Sequence, residues 1–118
     1  IAVNGQPYKL VHGAPAEAFD QDPRYPTPVH FAVWKRLDAA DPGPEDYTLV
    51  FGHTPTKYYR DQAPMEIWQD QKRIGIDCGS GYPEDKSDPN SAYGRLACLR
   101  LDDGKVFYSQ EDSPQQAR

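Results

Sequence analysis

Apolar positions along this chain come in short runs separated by turn residues, and each run carries its own prediction. Ile1 to Val3 and Tyr8 to Val11 flank Asn4-Gly5, a dipeptide that between two apolar runs predicts a hairpin. Gly13 to Pro26 is acidic, proline-rich and without periodicity, so it is expected to be a loop. Thr27-Pro28 predicts a helix start, with Thr27 as N-cap and Pro28 at the first helical position. Val29, Ala32, Val33, Leu37 and Ala40 then share one face at helical spacing, and Asp41-Pro42-Gly43-Pro44 stops the helix. Tyr47 to Phe51 is a continuous apolar run and predicts a short buried strand. Lys57 to Pro64 is polar connecting chain. Met65 to Trp68 and Arg73 to Ile76 predict a second hairpin across Asp70-Gln71. Leu96 to Leu101 and Val106 to Tyr108 predict a third across Asp102-Asp103-Gly104. Gly79 to Gly94 is a long loop of Gly, Pro, Ser, Asp and Asn, expected to be mobile. The pattern predicts an α+β fold with one clear helix and mainly antiparallel hairpins over residues 1–110, and a polar, disordered tail over 111–118.

Two of the predicted strands end in a histidine beside a glycine: Val11-His12-Gly13, and Phe51-Gly52-His53 followed by Thr54-Pro55. Gly52 is expected to let the backbone turn sharply or pass close to another group, with His53 then presented at the strand end. Two neutral imidazoles at two strand ends suit a metal site, although such histidines are also met as plain structural or surface residues. Composition narrows the rest. At 118 residues the chain is the size of one domain with a modest core, and its net charge of −5 argues against a nucleic-acid surface, which is normally a basic patch. Phosphate chemistry stays open, because a bound metal ion supplies the local positive charge. No apolar run reaches membrane-spanning length and no signal peptide is seen, so no membrane partner is expected. Cys78 and Cys98 lack Cys-x-x-Cys spacing and are read as reduced thiols of a cytoplasmic protein.

Gly52-His53-Thr54-Pro55 and Val11-His12-Gly13 resemble the last two metal-ligand motifs of the calcineurin-like metallophosphoesterases, in particular bacterial proteins similar to serine/threonine phosphatases. The resemblance extends in order to Val33-Trp34-Lys35-Arg36, to Ile74-Gly75-Ile76-Asp77-Cys78-Gly79 and to Gly94-Arg95-Leu96-Ala97-Cys98-Leu99-Arg100-Leu101. One departure is a Gly13-Ala14-Pro15 turn where the family has Ala-Gly after the histidine. The earlier family motifs, Asp-x-His, Gly-Asp-x-x-Asp and Gly-Asn-His with its acid, do not occur in the 118 residues, and the chain begins at Ile1. The resemblance therefore implies the C-terminal half of an αββα sandwich whose N-terminal half lies elsewhere. It further implies two divalent metal ions (Mn, Fe or Zn), with His12 and His53 as metal ligands, Arg36 as a candidate phosphate contact and a phosphorylated substrate.

Other candidates are weighed on their residues. Asp77 follows the predicted Arg73 strand and is a candidate to support a metal-bound histidine or to cap its own turn. His30, in the first helical turn, matches no motif and is read as a neutral or exposed histidine. Asp77-Cys78-Gly79-Ser80-Gly81 looks like a phosphate-cradling cysteine loop, but the arginine such a loop needs six positions on is Glu84. Ser80 lacks the glycine two positions earlier that a nucleophile elbow requires. A structural zinc site of His12, His53 and Cys78 or Cys98 lacks the close paired spacing of such sites.

The expected function is metal-dependent hydrolysis of phosphate esters by a protein of which this chain is part, the chain being inactive alone. The alternative is a non-catalytic, β-rich interaction domain on the same scaffold. The missing half leaves an apolar face or strand edge open, so the partner expected is that half or a second copy through self-association.

Overall fold

The computed structural model describes residues 1–81 and 94–109. Most of the 79–94 loop, Glu84 and the predicted tail lie outside these residues. Seven strands form in chain order: β1 (Ala2–Val3), β2 (Gln6–Leu10), β3 (Thr48–Phe51), β4 (Trp68–Gln69), β5 (Arg73–Gly75), β6 (Ala97–Leu99) and β7 (Val106–Tyr108). One α-helix, α1 (Pro28–Trp34), and two 3₁₀ turns (Ala16–Ala18 and Thr56–Tyr58) complete the described elements. The coarse class is α+β, mostly strand with one helix.

The three predicted hairpins are present: β1 with β2, β4 with β5 and β6 with β7 all pair antiparallel. Asn4 and Gly5 both carry positive φ (52° and 77°), the combination that a two-residue hairpin turn of matching twist demands. Two pairings add to the expected hairpins. β3 lies between β2 and β5 and is parallel to both, so the five-stranded sheet runs β1-β2-β3-β5-β4. This explains the continuous apolar run: Leu49, Val50 and Phe51 are all buried, as expected of a central parallel strand covered on both faces. Phe51 lies edge-on to Tyr59 and Trp68, and Tyr59 stacks on Trp68 at 4.7 Å.

The helix is shorter than its sequence pattern predicts. Thr27 caps it as expected, its hydroxyl accepting the His30 N–H at 3.1 Å. It ends at Trp34, however, so Leu37 and Ala40 lie beyond it, and its buried residue is Phe31. Val29 and Val33, expected on the core face, are exposed. The cause is tertiary. The carbonyl of Ala32 accepts the N–H groups of Gly13 and Ala14 at 2.9 and 3.1 Å, and the carbonyl of Trp34 is taken by a side chain described below. Orphan carbonyls of a last helical turn need partners. Here they find them outside the helix, and Phe31 turns toward Phe19 and Tyr25.

Candidate functional site

Parallel pairing of β2 and β3 brings their C-terminal ends side by side. The ladder runs on past the strands, with Val11 N–H donating to Val50 O at 3.0 Å and Gly52 N–H to His12 O at 2.9 Å. His12 and His53 therefore leave the same sheet edge together. Their ring centroids are 4.9 Å apart, with the planes tilted by 43°.

The turn that presents His53 is built differently from its sequence reading. His53 itself, not Gly52, takes the left-handed backbone, with φ of 69°. The Thr54 N–H bonds back to the Gly52 carbonyl at 2.7 Å, closing a three-residue γ-turn of the rarer, strained hand around His53. Such strain is held only where neighbours over-determine it. Here Arg36 does so, its Nη1 donating to the His53 carbonyl at 3.0 Å and lying 3.5 Å from Thr54 Oγ1. The His53 ring adds a second hold, as Nε2 lies 3.1 Å from the Trp34 carbonyl. A carbonyl can only accept, so Nε2 carries the proton and Nδ1 keeps the lone pair.

Burial lowers the His53 pKa from the ordinary histidine value; the Arg36 and His12 side chains push the same way, while the Trp34 carbonyl and Asp77 oppose them. The ring is thus favoured in its neutral form, the form that ligates metals. His12, by contrast, is exposed.

The helix end is brought to this turn by Gly13. A Cβ there would lie 2.8 Å from the Lys35 carbonyl, 2.9 Å from that of Ala32 and 3.0 Å from that of Val33. Only glycine fits against that backbone without a shift. The chain beyond the helix is pinned by Tyr59, whose hydroxyl donates to the Leu37 carbonyl at 2.6 Å. Trp34 and Arg36 both reach His53, and the Trp34 indole meets the His53 ring edge-on at 5.9 Å.

Of the residues singled out in the sequence, His12, His53 and Arg36 come together. Asp77 Oδ1 accepts the Gly79 N–H at 2.9 Å and its carbonyl accepts the Thr56 N–H at 2.8 Å, so it shapes its own turn. The orienting contact to His53 Nε2–H comes from the Trp34 carbonyl. Cys78 is buried, and burial raises its thiol pKa, whereas Cys98 is exposed; both are free. Among the described residues no three His, Cys, Asp or Glu side chains gather in a group that could hold a metal ion. Trp34 and Thr54 were not read as site residues. The Val33-Trp34-Lys35-Arg36 and Gly52-His53-Thr54-Pro55 runs contain the signals for Trp34 and Thr54 respectively. No helix of the described residues is long and apolar enough to cross a membrane.

Comparison of the chain with protein-family models, with curated proteins and with solved structures returns no match.

Proposed function

We propose that this chain contributes two imidazole ligands, His12 and His53, to a centre of two divalent metal ions (Mn, Fe or Zn) in a protein that hydrolyses phosphate esters. The observation that carries the reading is the convergence of the two rings, 4.9 Å apart on adjoining strand ends, beside an anchored arginine. The donor chemistry fits. Imidazole suits these metals, and a metal-bound histidine usually donates its other N–H to a carbonyl or carboxylate, as His53 Nε2 does to Trp34. His53 would ligate through Nδ1, the nitrogen left with its lone pair. When held by His12, His53 and further ligands, two such metals would supply a hydroxide nucleophile near neutral pH. Arg36 would grip the phosphoryl group, because a guanidinium offers five N–H donors in a fixed fork and one contact to the His53 carbonyl leaves donors for the substrate. The remaining ligands and the leaving-group acid would come from another polypeptide segment, covering the apolar side chains left open here. The chain by itself is expected to be inactive and to self-associate. The finer fold that goes with this reading is the C-terminal half of an αββα sandwich.

One observation favours a second reading, a non-catalytic interaction domain: among the described residues the two histidines gain no third acidic, histidine or cysteine donor. Titration of the 118-residue chain with Mn²⁺, followed by paramagnetic broadening of its NMR signals, separates the two. The metal reading expects broadening centred on His12 and His53 that His53→Ala abolishes. It also expects the chain, joined with its complementary segment, to hydrolyse an aryl phosphate with added Mn²⁺. Absence of both responses would leave the interaction domain.

A further inference from the structure

The site carries an aromatic surface that metal binding and phosphate binding do not use. Trp34, the last residue of α1, is 58% exposed, and its neighbour Val33 is 39% exposed. Its position is fixed by the backbone. The Trp34 carbonyl holds His53 Nε2–H, and the next N–H, that of Lys35, closes the helix onto Phe31 at 2.9 Å. The Trp34 backbone is thus tied to His53, and the indole meets the His53 ring edge-on at 5.9 Å. Two residues on, Arg36 is anchored to the carbonyl of the same histidine. A phosphoryl group held beside His53 and Arg36 would have this exposed indole, 5.9 Å from the His53 ring, as a neighbour.

We propose that Trp34 is a specificity residue that selects phosphate monoesters of aromatic alcohols, resting on the phosphoesterase reading above. In an aryl phosphate a single oxygen separates phosphorus from the ring, so the ring falls within reach of an indole set this close to the phosphate seat. An aliphatic ester has no flat face to offer. In a nucleotide the base stands a whole ribose further from the phosphorus, beyond that indole. Offset or edge-to-face contact with the indole favours an aromatic partner over an alkyl group of similar size.

Binding of non-hydrolysable analogues tests this without catalysis. Benzylphosphonate and propylphosphonate, titrated calorimetrically into the 118-residue chain with Mn²⁺, compare a ring with an alkyl chain on the same anion. Benzylphosphonate is expected to bind about tenfold more tightly, the affinity ratio of one good aromatic contact. Trp34→Leu should bring the two ligands level while Arg36→Ala weakens both alike. Equal affinities in the unaltered chain, a preference that survives Trp34→Leu, or no response to either phosphonate would overturn the proposal. A ring preference that persists without Mn²⁺ and in His53→Ala supports it, and counts against the metal centre instead.

Discussion

The carbonyl of Trp34 accepts the Nε2–H of His53 at 3.1 Å, so one hydrogen bond ties the last turn of the helix to the turn after the central strand. It satisfies the last helical carbonyl, sets the histidine tautomer and holds the Trp34 backbone beside the candidate centre. A neutral hydrogen bond of this kind contributes about 1 kcal/mol. Its larger effect is geometric, because it makes the helix end and the histidine a single unit.

The left-handed backbone at His53 gives a stability test. His53→Ala and His53→Gly both remove the imidazole, but only glycine adopts φ near 69° without strain. The glycine variant should be the more stable by about 1 kcal/mol in urea unfolding. Equal stabilities would mean that the γ-turn opens once the ring is gone.

Gly13 and Gly52 should behave oppositely, despite their matched places beside the two histidines. Gly13→Ala drives a methyl into the carbonyls of Ala32, Val33 and Lys35 at 2.8 to 3.0 Å, and is expected to cost about 1 to 3 kcal/mol. Gly52→Ala meets only the His12 carbonyl at 3.9 Å, an ordinary contact, and should change stability by less than about 0.5 kcal/mol. Thermal or urea unfolding of both variants checks the contrast.

The two thiols should differ in reactivity. Cys78 is 2% exposed with a pKa raised by burial, while Cys98 is exposed. Thiolate, not thiol, is the reacting form. A disulfide-exchange dye should label Cys98 in the folded chain and Cys78 only on unfolding. In the complete phosphoesterase proposed here, Cys78→Ser should keep most activity, whereas His53→Ala should lower it by orders of magnitude.

Acid should loosen the β6–β7 hairpin. The Arg100 side chain, hydrogen-bonded to Asp103, holds that carboxyl at about 2, below its usual 3.8, with the Lys105 N–H adding to the effect. A carboxylate with a lowered folded pKa stabilises the fold above its unfolded value, and that contribution disappears as pH falls toward about 2. Hairpin chemical shifts followed from about pH 5 downward should move across this window, and Asp103→Asn should flatten the response. An unchanged profile in the variant would show that the Arg100 pair does not control it.

Legibility varied with the range of the interaction. The Thr27 cap and the Asn4-Gly5 turn were readable because each is decided within a few residues: a hydroxyl reaching an N–H three positions on, and a dipeptide that tolerates positive φ. The other two hairpins were local in the same sense. The helix end was not, because it depends on Gly13, Ala14 and His53 arriving from other parts of the chain to take its carbonyls. The apolar face failed for the same reason: Val29 and Val33 keep the helical period, but with the helix cut at Trp34 it is Phe31 that meets the core.

By itself the sequence determined the class of fold, the hairpins, the start of the helix and the two strand-end histidines. Each follows from backbone sterics or from apolar spacing over a handful of residues. Tertiary structure alone decided that β2, β3 and β5 run parallel, and through that pairing that His12 and His53 stand 4.9 Å apart. It alone put the strained φ on the histidine and not on the glycine before it, because Arg36 and the Trp34 carbonyl hold that turn from outside. Parallel pairing joins segments far apart in the chain, and a residue's own neighbours carry no record of which distant strand will lie beside it.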